Sequence, residues 1–288
     1  MSAPLVARFA PSPTGRLHLG HAFSALTAWE RAQASGGRFL LRIEDIDRPR
    51  CRPDFEAAIL DDLHWLGLRW PDPVLRQSER LEAYGAALAK LAAQGLTYPC
   101  RCTRRDIREA LSAPQEGTAP VTGADGPVYP GTCRGRNMAD AAPDDAIRLD
   151  MGKAMARIGS VAFRDAGPVH PGAHARDAEW MCAHVGDAVL ARRDIGTSYH
   201  IAVVLDDAAQ GITEVVRGAD LFEATFLHVL LQRLLNLPQP GYFHHRLIRD
   251  AQGWRLAKRD DARALAALRD DGATPADIRA MLNLPRAP

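Results

Sequence analysis

His18 and His21, three residues apart behind a glycine-containing loop, open the chemistry of this sequence. They close the run Arg8-Phe9-Ala10-Pro11-Ser12-Pro13-Thr14-Gly15-Arg16-Leu17-His18-Leu19-Gly20-His21. The run reads as a strand that enters a rigid loop and then a helix N-terminus. A helix start carries roughly half a positive charge and unpaired amide donors, which suits a triphosphate. Gly15 and Gly20 let backbone approach a ligand closely. Spaced by three, both imidazoles can point at one phosphate chain and stabilise its developing charge. Taken alone, His-x-Gly-His also reads as a helix cap with two incidental histidines. A second constellation is Cys100-Arg101-Cys102, with Cys133 further on. Zinc takes four tetrahedral N, S or O ligands, and thiolates close in sequence suit it. Three cysteines leave one ligand to find, and by spacing His170 and Cys182 qualify equally. The alternative is three reduced thiols packed in a small core. Cys51 and Cys182 read as structural.

The elements that must position these residues follow from periodicity. Val6–Ala10 reads as a buried strand, Ala22–Ser35 as a helix stopped by Gly36-Gly37, and Arg38–Ile43 as a strand. Strand, glycine loop, helix and strand make a βαβ unit and imply an α/β fold with a parallel sheet. Phe55–Leu66 and Glu79–Ala93 are further helices. From Thr97 to Asp145 the texture turns to Cys, Gly, Pro and short polar stretches. This is expected to be an inserted subdomain, with one short helix at Asp106–Leu111 and a long loop at Ala113–Pro130. Regular structure returns with a strand at Ala188–Asp194. Tyr199–Leu205 is strand or helix by periodicity. Thr213–Arg217 reads as a strand, Leu221–Leu235 as a helix and His244–Arg249 as a strand. Asp261–Arg269 and Pro275–Leu282 are short helices, the second capped by Thr274.

Composition narrows the class. The 288 residues are 47% hydrophobic and 25% charged, with a formal net charge of +1. That is ordinary globular composition without a global basic field, so any RNA contact must come from local patches. The arginines around the cysteines (Arg101, Arg104, Arg105, Arg108, Arg134, Arg136) form one such patch or are plain exposed charges. The N-terminus lacks the pattern of a signal peptide, and there is no run of about 18 apolar residues. A cytoplasmic protein with no membrane contact is expected. Five cysteines, an odd number, favour metal or free thiols over disulfides in that compartment.

The first run resembles the signature of class I glutamyl-tRNA synthetases, whose His-Ile-Gly-His stands here as His18-Leu19-Gly20-His21. The resemblance implies a Rossmann-like catalytic domain. It assigns Arg8, Phe9, Ala10, Pro11 and Ser12 to L-glutamate, and His18, Gly20 and His21 to ATP, used with Mg2+. An arginine fork suits a carboxylate. Leu41-Arg42-Ile43-Glu44-Asp45-Ile46-Asp47 is similar to the family's strand-end acidic segment, which places Glu44 on the amino group of glutamate; a solvated acidic turn is the alternative. Tyr199 and Arg217 fall on glutamate-site positions, and Asp220 just beyond, by the nucleotide. The mobile Lys-Met-Ser-Lys-Ser loop of the class matches Arg255-Leu256-Ala257-Lys258-Arg259. There Lys258 is kept as a catalytic residue over the phosphates, and the serine is replaced by Ala257.

Tyr129-Pro130-Gly131-Thr132-Cys133 resembles half of a zinc site in the family's short paralogue, the glutamyl-Q tRNA(Asp) synthetases. This implies one Zn2+ per chain on Cys100, Cys102, Tyr129 and Cys133. The expected organisation is a split catalytic domain (1–96 and 146–240) and a zinc-binding insertion (97–145). A short C-terminal helical segment with the Lys258 loop follows (241–288), with no anticodon-binding domain. The resemblance implies a monomeric ligase that activates glutamate without tRNA and passes it to the queuosine base of tRNA(Asp). Two other readings stay open: a truncated synthetase charging the 3′ end of tRNA(Glu), and a glutamate-binding protein without chemistry.

Overall fold

The structure is a computed structural model that describes residues 4–112, 122–123, 126–249 and 264–285. Its strands are β1 (Val6–Phe9), β2 (Arg38–Ile43), β3 (Leu75–Arg76), β4 (Thr97–Cys100), β5 (Thr122–Gly123), β6 (Gly126–Pro127), β7 (Ala146–Leu149), β8 (Ser160–Asp165), β9 (Gly172–Asp177), β10 (Val189–Ala191), β11 (Glu214–Gly218) and β12 (Gly241–His245). Its helices are α1 (Leu19–Ala34), α2 (Pro53–Trp65), α3 (Leu81–Ala93), α4 (Arg104–Ser112), α5 (Met151–Ile158), α6 (Ala178–His184), α7 (Tyr199–Ala209), α8 (Ala224–Leu235), α9 (Leu265–Asp270) and α10 (Pro275–Met281). None of the described helices is long and apolar enough to cross a membrane.

The expected βαβ unit is present: β1 and β2 pair in parallel, with Ala7 opposite Phe39, and β3 continues the sheet. A second run pairs β11, β12 and β8 in parallel and closes with β9 antiparallel. The two runs meet where the Thr213 N–H donates to the Val6 carbonyl at 2.9 Å and the Val6 N–H to Thr213 Oγ1 at 2.9 Å. The order is therefore β3-β2-β1-β11-β12-β8-β9. It reverses direction between β1 and β11, and in an open α/β sheet ligands bind at the carboxyl ends of strands at such a switch point.

Both faces of the sheet are covered. One core packs α1 and α2 with α9 and α10, through Leu26, Leu63, Leu265 and Ile278. The other packs α3, α5, α7 and α8, through Leu91, Met155, Val203 and Leu230. Helix α7 settles the Tyr199–Leu205 ambiguity. Residues His200 to Val204 are buried consecutively, so the sequence carries no amphipathic period there. A strand does not form at His244–Arg249 but earlier, at Gly241–His245, because Gly241 pairs with Glu214 directly after Pro240. Past His245 the chain turns away, and Arg246 Nη2 donates to the Leu282 carbonyl at 2.6 Å.

The stretch 97–145 departs through β4 and returns into β7. These pair antiparallel, with Cys100 opposite Ala146, and β10 completes their sheet. Between 146 and 187, where no element is expected from sequence, lie α5, the β8–β9 hairpin and α6. Most of the expected 113–130 loop and the start of the expected 261–269 helix lie outside the described residues.

Candidate active site

The C-terminal ends of β1, β2 and β11 converge on a cavity of about 410 Å³. Arg8, Phe9, Ala10, Pro11, Ser12, His18, Gly20, His21, Glu44, Tyr199 and Arg217 all line it. Every glutamate and nucleotide residue expected from sequence is thus brought together except Lys258, which lies outside the described residues with the rest of its loop. Asp220 also lines this cavity.

His18 is both a helix cap and a cavity residue. It is the N-cap of α1: its Nδ1 accepts the Gly20 N–H at 3.1 Å, and His21 Nδ1 accepts the His18 N–H at 3.2 Å. The two rings lie 3.8 Å apart. With each Nδ1 used by the cap, Nε2 is the other hydrogen-bonding atom of each ring. A Cβ at position 20 would crowd the capping ring, meeting His18 Cε1 at 3.0 Å.

Beneath the cavity lies an ion-pair network not expected from sequence. Asp207, at the end of α7, accepts from Arg8 Nε at 2.9 Å and Nη2 at 3.3 Å, and from Arg42 Nη1 at 2.7 Å. Arg42, 0% exposed, also donates to Glu44 at 3.1 Å. Asp206 beside it accepts from Gln77, Arg80 and Tyr84. The signal for Arg42 was available: it precedes Glu44 by two where β2 ends, and at extended-chain spacing such a pair leaves the same face. Arg8 spends its Nε side on Asp207 and one Nη1 hydrogen on the Val216 carbonyl at 3.4 Å. That leaves one N–H on Nη1 and one on Nη2 for a carboxylate. Burial pushes the Glu44 carboxyl up, against the opposing pull of Arg42 and Arg8. For Asp207 burial pushes the same way, but Arg8 and Arg42 outweigh it and hold the carboxyl below its usual range.

Arg217 is 5% exposed and held differently. Its Nε donates to His244 Nε2 at 3.2 Å, and its Nη1 to His228 Nδ1 at 3.1 Å. Its Nη2 donates to Thr225 Oγ1 at 2.6 Å and to the Leu221 carbonyl at 3.3 Å. His244 in turn contacts Asp165 through Nδ1. Burial and Arg217 hold His244 down to about 4, and they keep His228 well below the usual imidazole value.

A larger cleft of about 1600 Å³ adjoins this cavity and shares Ser12, Glu44 and Tyr199 with it. Its far wall holds Cys102, Arg104, Arg108, Tyr129 and Arg193. Of the arginine patch, Arg134 pairs with Asp187, Arg136 with Asp145 and Arg105 with Glu109; of the other three, Arg104 and Arg108 line the cleft and Arg101 does not.

Cys100, Cys102 and Cys133 lie together, with sulfur atoms all within 4.8 Å of one another. The phenol oxygen of Tyr129 is 3.4 Å from Cys100 Sγ and 3.3 Å from Cys102 Sγ, and Cys102 and Cys133 are 3.5 Å apart. Tetrahedral zinc at ~2.3 Å from each sulfur sets ligands ~3.7 Å apart, so this set fits the ion. His170 stacks on Phe222 instead, and Cys182 is exposed on α6, so neither joins the cluster. Cys182 is also not the packing residue expected, because α6 turns it outward.

A doubly wound sheet with this loop at its switch point is the catalytic half of a class I aminoacyl-tRNA synthetase. The chain belongs to that family: residues 4–285 match the tRNA synthetases class I (E and Q), catalytic domain, which makes it a ligase. Among its relatives is the glutamyl-Q tRNA(Asp) synthetase of Rhodobacter capsulatus, 59% identical over 283 residues, covering 97% of this chain and 100% of that one. The protein of the same name from Geobacter sulfurreducens is 41% identical, covering 93% of this chain and 79% of its own. The crystal structure of glutamate-tRNA synthetase from Elizabethkingia anophelis superposes with a TM-score of 0.76 at 27% identity, covering 96% of this chain. The chain spans 61% of that structure's length.

Proposed function

We propose that the protein activates L-glutamate with ATP and transfers it to the queuosine base at the first anticodon position of tRNA(Asp), in the cytoplasm. The observation that carries this reading is the single cavity that gathers Arg8, Ser12, His18, His21, Glu44, Tyr199 and Arg217 at the switch point. The remaining N–H groups of Arg8 and the buried cation of Arg217 supply positive charge for an acidic amino acid. Glu44, beside them, takes its ammonium group. The N-terminus of α1, with His18 and His21, receives the triphosphate.

In the first step the glutamate α-carboxylate attacks the α-phosphorus of ATP, and pyrophosphate leaves. His18 and His21 stabilise charge on the phosphates, and Lys258 joins them from its loop. Bound Mg2+ would supply further phosphate neutralisation. A hydroxyl of the queuosine cyclopentenediol then attacks the activated carbonyl and releases AMP. The protein contributes positioning and charge stabilisation without a nucleophile of its own. The larger cleft, open to Glu44 and Tyr199, admits the base, and Arg104 and Arg108 on its wall meet backbone phosphate. Zn2+ on Cys100, Cys102, Tyr129 and Cys133 would fix the cleft's far wall, as a structural four-ligand site.

Glutamate-dependent exchange of pyrophosphate into ATP, without RNA, tests the first step. Exchange is expected from the wild type and is expected to fall steeply in Lys258→Ala and Arg8→Ala. No exchange from the wild type would favour a binding protein without chemistry.

A further inference from the structure

Arg217 differs from the other buried arginines of the site in what surrounds it. Arg8 has Asp207 as counter-ion, and Arg42 has Asp207 and Glu44. Among the described residues no carboxylate lies within ion-pair distance of Arg217. Its four acceptors are His244 Nε2, His228 Nδ1, Thr225 Oγ1 and the Leu221 carbonyl. A guanidinium only donates, through five N–H bonds. Both imidazole nitrogens that meet it are therefore unprotonated, and both rings are neutral. His228 then donates Nε2–H to His200 Nδ1 at 3.1 Å, and His244 turns Nδ1 to Asp165. The low basicity of both rings agrees with this assignment. Four of the five N–H bonds are spent on neutral groups, and one on Nη1 remains at the cavity wall. A buried cation left uncompensated is costly, and an anion entering the cavity relieves that cost.

We propose that His228 is a specificity-determining positioning residue. As a neutral acceptor it fixes Arg217 and withholds a counter-ion, so the pocket is completed by a side-chain carboxylate and not by the amide of the same shape. The inference rests on the reading of the cavity as an amino-acid site. There the α-carboxylate must face the phosphates at the start of α1, which leaves the side-chain carboxylate for Arg217. An internal carboxylate at position 228 would occupy the cation and remove the preference.

The test is binding of free L-glutamate and L-glutamine to the full chain by calorimetry, for the wild type, His228→Asn and His228→Asp. The wild type is expected to prefer glutamate. His228→Asn keeps a neutral acceptor near the Nδ1 position, and its preference should stay within about threefold of wild type. His228→Asp should lower the glutamate-to-glutamine ratio by roughly 100-fold, mainly through lost glutamate affinity. Thr225→Asp, built where Oγ1 lies 2.6 Å from Nη2, places a counter-ion by a second route should the first variant not fold. A folded carboxylate variant with the wild-type ratio would overturn the proposal. So would a His228→Asn ratio that collapses as far as that of His228→Asp, since packing and not charge would then be responsible. A wild type with no preference for glutamate would instead overturn the reading of the cavity itself.

Discussion

Asp207→Asn is the substitution that most directly probes the ion-pair network under the cavity. The asparagine Oδ1 can take the place of the carboxylate oxygen that accepts from Arg8 Nε at 2.9 Å and Arg42 Nη1 at 2.7 Å. What is lost is the bond from Arg8 Nη2 and the negative charge. Two buried guanidinium groups would then share one nearby carboxylate, Glu44, with Asp206 as far as 4.0 Å from Arg42. Removing one partner of a buried pair costs about 3–5 kcal/mol. Because the shape is kept, the lower end applies, about 3 kcal/mol, against a total stability of roughly 5–15 kcal/mol. In a chain of this size that corresponds to a melting temperature lower by roughly 5 °C. Arg8 also loses its side-on clamp, so the glutamate KM in pyrophosphate exchange should rise more than kcat falls. Asp207 titrates below its usual range in the fold. Its stabilisation is present above the unfolded carboxylate value and is lost as pH falls through the folded one. The gap between wild type and variant should therefore narrow in acid. A variant within about 1 kcal/mol of wild type, with an unchanged KM, would mean that Asp207 does not hold the two arginines in this way.

Three further outcomes follow from the same geometry. Asparagine is a good N-cap, so His18→Asn should keep thermal stability within about 0.5 kcal/mol while exchange activity drops, whereas His18→Ala should lose activity and about 1 kcal/mol of stability. Metal analysis should find one zinc per chain in the wild type and a large loss in Cys102→Ser, because one of four ligands is removed. Chemical denaturation across pH should show stability falling from about pH 6.5 toward pH 4. His244 is neutral in the fold down to about 4, but the unfolded histidine takes a proton near 6.5; His244→Asn should flatten that slope.

The sequence was most legible where local chemistry and architecture coincide. The run from Arg8 to His21 marks strand, loop and helix start at once, and the structure puts the loop at the switch point. Cys100, Cys102 and Cys133 cluster as their spacing implied, but Tyr129 came only from the resemblance, because a tyrosine ligand has no spacing signature. The α5 and β8 segments were missed although their signals exist. Asp150 caps α5 by accepting the Lys153 N–H, and Gly159 ends it at φ 82°. Along β8, Val161, Phe163 and Asp165 alternate inward. What could not be read was long-range: that Asp207 serves Arg8 and Arg42 across 199 and 165 residues of chain, and that three histidines from α7, α8 and β12 gather behind Arg217.

The acceptor distinguishes base modification from 3′-end charging. The enzyme would be given radiolabelled glutamate and ATP, with queuosine-bearing tRNA(Asp), tRNA(Asp) lacking queuosine, and tRNA(Glu), and the labelled RNA cut with nuclease to locate the glutamate. Label is expected on the anticodon stem–loop of queuosine-bearing tRNA(Asp) and on neither of the others. Label at the 3′ end of tRNA(Glu) would contradict it.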